Sequence, residues 1–297
     1  MVDRLSGTAV MFRLNTDTPE GKALSKSFHL NGIPTTVVLD PAGEEVDRII
    51  GYDSRSAWTK TLLAYLYGVD TLQDLLGRAQ TVKGADLRRD IASKYLERGD
   101  AKNALAWVDK AHEAMTPEDA GLSGSLSLIR GRALLIDDPA KGEAELNELV
   151  RGKDADAADE AFGALSSYYR KAVRAAKTPE ATAQAKKAMM DLYHVLLPTR
   201  QDDVSFLNGY AWHAAEEGVE LDQALAAAQR AVTLSGDDTG ILDTLAEVYY
   251  KMGNRADALE SIGKALAKSP EDEYLLGQKK KFEAMPLPKK PKGAGKK

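Results

Sequence analysis

The chain has 297 residues, of which 43% are hydrophobic and 29% are charged, and its formal net charge is −5. This length and composition suffice for two domains with buried cores. The negative balance argues against nucleic acid or an anionic membrane surface as a partner. The chain contains no cysteine, which excludes disulfides, thiolate metal sites and dithiol redox chemistry for this sequence.

The sequence shows no targeting or membrane-spanning segment. No apolar run approaches the ~18 residues of a spanning helix. Arg13 interrupts the early apolar stretch before it reaches the length of a signal-peptide core. The sequence as written therefore predicts a cytoplasmic protein, and a true start further upstream would leave a periplasmic or other extracytoplasmic location open.

The first part of the chain alternates between strand and helix signals. Short apolar or β-branched runs bounded by turn residues indicate strands, and apolar residues spaced four apart indicate helices. The predicted elements are a buried strand at 9–14, a helix from Pro19 to about Leu30, strands at 35–40 and 45–52 that form a hairpin, and a helix at 54–67. Together they predict a small α/β domain over residues 1–67.

The order of these elements and the sequence Gly32-Ile33-Pro34-Thr35 resemble the C-terminal half of a thioredoxin-like domain. In that family the matching proline follows a cis peptide bond beside the redox site. The resemblance therefore implies a cis Ile33–Pro34 bond, with an edge there that the family uses for substrates. The strands and the Cys-x-x-Cys helix that begin such a domain are absent from this sequence. We therefore expect residues 1–17 to be poorly ordered or wrongly packed, and the hairpin and its following helix to persist.

Strand signals stop at Asp86, and helical patterns continue to about residue 284. Before them, residues 68–85 predict a linker with a short helix around Leu72–Arg78. Helices are predicted at 86–97, 101–115, 122–136, 140–150, 157–175 and 179–197, then in two repeat copies, and last at about 272–284. The final segment, 285–297, is basic and rich in proline and glycine, and it predicts a disordered tail.

Two copies of one pattern occupy residues 204–272. Ala224 and Ala258 are 34 residues apart, as are Ala231 and Ala265, and such a period predicts stacked helix-turn-helix units. The second copy is read from Leu242, Leu245, Ala246, Tyr249, Gly253, Ala258, Ile262, Ala265 and Pro270. A third copy begins near Ile91. This pattern resembles a tetratricopeptide repeat (TPR), so residues 86–284 are expected to form a TPR-type α-solenoid.

The resemblance implies that the first helix of each copy faces a concave surface that binds a polypeptide partner. The facing positions are Arg89, Ser93, Leu96, Asn208, Trp212, Ala215, Asp243, Glu247 and Tyr250. Exposed aromatic residues with polar neighbours make good peptide anchors. The predicted peptide-binding residues are therefore Asn208, Trp212, Asp243, Glu247 and Tyr250. An alternative is that Trp212 packs against the preceding helical pair. Asp243 and Glu247 would repel a terminal carboxylate.

No pattern predicts a catalytic or metal site, and no cofactor is expected. The four histidines, at 29, 112, 194 and 213, have no partners at metal-ligand spacing. The sequence predicts a mostly α protein, a TPR-type α-solenoid preceded by a truncated thioredoxin-like α/β domain, that acts as a non-catalytic interaction module. Two alternatives stay open. One is a thiol-disulfide oxidoreductase relative whose Cys-x-x-Cys front half is missing from this chain. The other is a redox-inactive chaperone that holds extended peptides at Ile33–Pro34.

Overall fold

The computed structural model describes residues 9–30 and 32–285, and over these ranges the chain is mostly helical. Its elements are α1 (Pro19–Ser27), β1 (Thr35–Leu39), β2 (Glu45–Ile50), α2 (Arg55–Leu66), α3 (Leu72–Arg78), α4 (Ala85–Glu97), α5 (Ala101–Ala114), α6 (Ser123–Asp137), α7 (Pro139–Val150), α8 (Ala155–Ala175), α9 (Pro179–Leu196), α10 (Val204–Glu217), α11 (Leu221–Ser235), α12 (Thr239–Lys251), α13 (Arg255–Lys268) and α14 (Glu273–Glu283). The short predicted helix of the 68–85 segment is α3, with the predicted bounds.

The chain divides into two compact units, Met1–Leu165 and Ser166–Lys297, and the division falls inside α8. The first unit contains the hairpin together with α1 to α7. Most of the predicted basic tail lies outside the described residues.

Residues 9–14 form no strand, so the prediction of a buried strand there is wrong. The side chains of Val10 and Phe12 are 98% and 83% exposed, and the sheet found in the described residues contains only β1 and β2. A strand requires a neighbour for its N–H and C=O groups. The sequence also predicts residues 1–17 to be poorly ordered or wrongly packed; residues 9–14 lie outside the sheet, in line with this, and residues 1–8 lie outside the described part of the chain.

The hairpin and its following helix are present as predicted. β1 pairs antiparallel with β2, from Thr35 opposite Ile50 to Leu39 opposite Glu45. The face of the hairpin that carries Val38 packs on Leu62 of α2. The predicted cis peptide bond between Ile33 and Pro34 is confirmed.

The pair of α4 and α5 shows how this sequence builds its helical repeats. Ala92 and Ala104 are fully buried and allow the helices to approach closely, and Val108 fills the space between them. Gly99 adopts the left-handed conformation that ends α4. Asp100 then caps α5 by accepting a hydrogen bond from the backbone N–H of Asn103 at 3.0 Å.

The two clear copies fold as the pairs α10–α11 and α12–α13, with their turns at Gly218 and Gly253 as predicted. Ala258 and Ile262 of α13 are fully buried in the second pair. No strand occurs among described residues 86–285, as the repeat pattern requires. One element was not predicted. It is a 3-10 helix at Pro117–Leu122, just before α6. Thr116 and Asp119 form a capping box at its start.

The first copy is one residue longer than the second after its turn, because Gly218 and Ala224 are six positions apart and Gly253 and Ala258 only five. This insertion has a structural role. Glu220 follows the turn at Gly218 in a left-handed conformation, and its carboxylate accepts hydrogen bonds from Tyr210 Oη at 2.7 Å and His194 Nε2 at 2.8 Å. Tyr210 is almost fully buried, so its hydroxyl needs this acceptor. The insertion therefore supplies a polar contact among α9, α10 and the start of α11.

Candidate peptide-binding face

The predicted binding residues of α12 lie beneath α14. Asp243 and Glu247 are only 5% and 3% exposed. Tyr274 Oη donates a hydrogen bond to Asp243 Oδ2 at 3.1 Å, and Lys281 Nζ donates to Glu247 Oε2 at 2.5 Å. These two carboxylates therefore contact another helix of the same chain instead of facing an open groove. Their role in peptide binding stays a prediction.

The carboxyl group of Asp243 is buried and accepts a hydrogen bond from the protonated hydroxyl of Tyr274. Burial raises the pKa of Asp243, against hydrogen bonds from Tyr274 and Gln278 that favour its charged form. Burial, reinforced by the charge of Asp243, raises the pKa of Tyr274 to about 12. Tyr274 therefore keeps its proton across the ordinary pH range and remains a hydrogen-bond donor.

Tyr250 also takes part in the docking of α14. Its ring lies 5.2 Å from the ring of Phe282, which is fully buried, and Lys281 Nζ lies 4.7 Å from the ring centre of Tyr250. Lys281 follows Glu247 by 34 residues, one repeat period. The helix α14 therefore packs on α12 in the way that the first helix of a further copy would.

Asn208 and Trp212 lie one turn apart on α10, and both are half-buried. Asp203 fixes the start of this helix by accepting a hydrogen bond from the backbone N–H of Phe206 at 3.0 Å. Asn208 Oδ1 is buried and has no hydrogen-bond donor among the described residues. A buried acceptor of this kind is costly unless a donor reaches it.

The residues beside this pair pack tightly against α9. A Cβ atom at Gly209 would lie 3.0 Å from Tyr193 Oη, so the two helices approach closely at this glycine. The ring of His213 lies 5.6 Å from the ring of Tyr193. Burial lowers the pKa of His213, so its imidazole is neutral at pH 7. His213 Nδ1 also lies 3.7 Å from Glu216 Oε2 on the same helix.

The predicted edge at Ile33 and Pro34 is solvent-exposed. Ile33 is 77% exposed, and a shallow pocket of about 280 Å³ lies beside it, lined by Thr16, Lys22, Ser25, Leu30, Gly32 and Ile33. These residues carry no arrangement of a nucleophile with a base. The pocket could therefore bind a ligand by its shape, but its lining provides no catalytic pair.

An ionic cluster at the base of the hairpin was missed by the sequence reasoning. Asp47 of β2 is fully buried. Lys94 Nζ of α4 and Nη2 of Arg98, the residue after α4, lie 2.8 Å and 3.0 Å from its carboxylate oxygens. The backbone N–H of Leu72 donates to the same carboxylate at 2.8 Å. The only sequence signal of this cluster is that Asp47 precedes Ile49 by two residues, which places both on the buried face of β2. The cluster joins the hairpin to the first repeat.

This cluster holds its lysine charged. Burial lowers the pKa of Lys94, but the hydrogen bond and the negative charge of Asp47 more than offset it, so the pKa is raised overall. Asp47, Lys94 and Arg98 each face a partner within the protein. The role of the cluster is therefore structural.

Within the described ranges, no group of three or more histidine and acidic residues could hold a metal ion. The same part of the chain includes no helix long and apolar enough to cross a membrane. With no cysteine in its sequence, the chain provides no thiolate for disulfide exchange.

Comparison with known proteins finds likenesses of fold only. No protein-family model matches the chain, and no curated protein sequence matches it. Among solved structures, a thermophilic TPR protein of Thermus thermophilus is 19% identical, with a TM-score of 0.39 over 67% of this chain and 99% of that one. YrrB, a TPR protein with an unusual peptide-binding site, is 16% identical, with a TM-score of 0.43 over 68% and 95%. MamA is 18% identical, with a TM-score of 0.41 over 69% and 98%.

Proposed function

We propose that the chain is a non-catalytic interaction module whose helical repeats bind a polypeptide segment. The pairs α10–α11 and α12–α13 keep the 34-residue period in their packing, and arrays of such pairs recognise partners by surface shape. The chain holds no thiol, and its buried ionic cluster is engaged in internal contacts. Binding, not catalysis, is what this arrangement supports.

The proposed anchor for the partner is Trp212, with Asn208 beside it. Of the predicted face, Asp243, Glu247 and Tyr250 are engaged by α14. The remaining aromatic residue of that face is the half-buried Trp212, and the nearby Asn208 has an acceptor that no donor of the described residues reaches. An indole offers a large apolar contact, and a side-chain amide pairs with the backbone of a bound peptide. The position of Asn208 and Trp212 side by side on α10 is the observation that best supports the proposal.

The chemistry around α10 favours an apolar side chain in the ligand. His213 is neutral at pH 7 and packs on Tyr193. Glu217 is already paired with Lys186. We therefore propose that the partner presents a bulky apolar residue to Trp212 and a backbone N–H to Asn208.

A selection of displayed peptides on the immobilised full chain tests this proposal. Peptides that bind the wild type should lose at least about tenfold in affinity for Trp212→Ala, since truncating a central aromatic anchor costs ~2 kcal/mol or more. The matched control is Tyr67→Ala, which removes an aromatic side chain that is 74% exposed at the end of α2. Circular dichroism establishes that both variants are folded. Peptides that bind both variants equally well would refute the site.

We further propose that β1, β2 and α2 are a redox-inactive thioredoxin-like remnant. The order strand, turn, strand and helix supports this. No described feature favours the alternative of an oxidoreductase with a missing front half. An in-frame Cys-x-x-Cys sequence in the DNA upstream of Met1 would favour it.

A further inference from the structure

We propose that the open edge of β1 pairs with β1 of a second copy of this chain, which forms a four-stranded antiparallel sheet across a twofold axis. This inference concerns the hairpin and does not depend on the peptide-binding face. It rests on the unpaired backbone groups of β1, on the absence of charge along this strand, and on the complementarity of β1 with an antiparallel second copy of itself.

The first step is that one edge of β1 lacks a partner. In the described chain β1 pairs only with β2. The carbonyl of Pro34 accepts a hydrogen bond from Gly51 N at 2.8 Å, so the alternation of an antiparallel ladder directs Thr36 and Val38 towards β2. The N–H and C=O groups of Thr35, Val37 and Leu39 then point to the open edge.

The second step is that the side chains of β1 do not discourage pairing, although the ladder with β2 is irregular between Val38 and Leu39. Native edge strands are commonly protected by a lysine, a proline or an inward-pointing charge. The sequence Thr-Thr-Val-Val-Leu of β1 has none of these, and four of its five residues are β-branched. Leu39, at its end, is 44% exposed, and Ile33, just before it, is 77% exposed.

The third step is that β1 is complementary to its own reverse. An antiparallel pair centred on Val37 places Thr35 opposite Leu39 of the second copy, and Val37 opposite its own equivalent. Continued outward, the same register places Ile33 opposite Pro41, and Asp40 opposite Pro34. Asp40 is the only charged residue between Gly32 and Ala42. No two like charges therefore meet, and a twofold interface of this kind closes at a dimer.

The interface is small, because each copy contributes five strand residues and their neighbours. Interfaces below the standard size are weak, so we expect a dissociation constant between about 1 µM and about 1 mM. Sedimentation velocity over that concentration range should show a reversible monomer–dimer equilibrium. In hydrogen exchange, the amides of Thr35, Val37 and Leu39 should gain protection as the concentration rises. The amides of Thr36 and Val38 are protected throughout by β2.

Charge variants test the register. The double variant Thr35→Lys/Leu39→Lys places lysine opposite lysine in both outer pairs, and Thr35→Glu/Leu39→Glu places glutamate opposite glutamate. Each should weaken self-association at least about tenfold. An equimolar mixture should form a heterodimer, since each lysine then faces a glutamate. The matched control is Val69→Lys, which adds a lysine at a residue that is 50% exposed and outside the hairpin, and it should dimerise like the wild type.

Several results would overturn the proposal. A wild type that remains monomeric up to about 1 mM excludes the dimer. Association that persists unchanged in both charged variants places the contact elsewhere. Variants that are both monomeric but form no heterodimer on mixing exclude this register. Protection of Thr35, Val37 and Leu39 that is independent of concentration would show that a segment of the same chain, such as residues 9–14, covers the edge.

Discussion

Replacing Asp47 by alanine should destabilise the first compact unit strongly. The carboxylate of Asp47 is fully buried and accepts from Lys94 Nζ and from the backbone N–H of Leu72, each at 2.8 Å, and its other oxygen lies 3.0 Å from Arg98 Nη2. The side chains of Lys94 and Arg98 are only 12% and 14% exposed. Without Asp47, Lys94 loses its carboxylate partner, and Arg98 keeps the longer contact of its Nε with Glu45 Oε1 at 3.5 Å.

The size of the effect follows from what the substitution leaves behind. Removing one partner of a buried ion pair costs about 3–5 kcal/mol, because the remaining charge stays buried without compensation. At ~2–4 °C of melting temperature per kcal/mol for a unit of this size, the melting temperature should fall by about 6–20 °C. Asp47→Ala combined with Lys94→Met should cost less than the sum of the two single variants, since the double variant leaves no uncompensated lysine.

Urea unfolding followed by tryptophan fluorescence, to which Trp58 on the hairpin contributes, measures the loss. The matched control is Asp109→Ala. Asp109 is 64% exposed and its pair with Arg130 spans 3.2 Å, so this substitution should cost under about 1 kcal/mol. If Asp47→Ala costs no more than Asp109→Ala, the cluster is effectively solvated and the reasoning fails.

Two further predictions concern the second unit. Burial raises the pKa of Glu220, but hydrogen bonds from Tyr210 and His194 outweigh this effect and hold the pKa below the usual 4.5. The stabilisation that these hydrogen bonds give to the folded state is therefore complete above pH 4.5, and it is lost as the pH falls through the pKa of Glu220 in the folded state. Glu220→Gln should lower the free energy of unfolding by about 1–2 kcal/mol at pH 7 and by less in acid. An equal loss at both pH values would show that the charge of the Glu220 carboxylate does not contribute. Ala258→Phe should overpack the α12–α13 pair and cost about 1–3 kcal/mol in a thermal melt, whereas Glu260→Ala on the exposed face of α13 should change little.

The repeats could be predicted from sequence because their determinants are local. The small residues Ala258 and Ala265, and the glycine at 253, act on helix contacts within one pair, and the period makes each pair a copy of the next. The same reasoning failed for residues 9–14. An apolar run predicts a strand only if another strand is present to receive its hydrogen bonds, and that condition concerns the rest of the chain.

The candidate binding face also depends on the rest of the chain. Asp243 and Glu247 occupy helix positions that the repeat pattern assigns to a binding surface, but whether such a position meets a ligand or a following helix depends on what comes next in the chain. Here α14 follows, and it carries a lysine one period after Glu247 and a tyrosine within reach of Asp243. The two carboxylates therefore contribute to the docking of α14, and their part in peptide binding stays a prediction. The same criterion, applied to α10, leaves Trp212 and the unpaired oxygen of Asn208 as the part of the predicted face to test for a ligand.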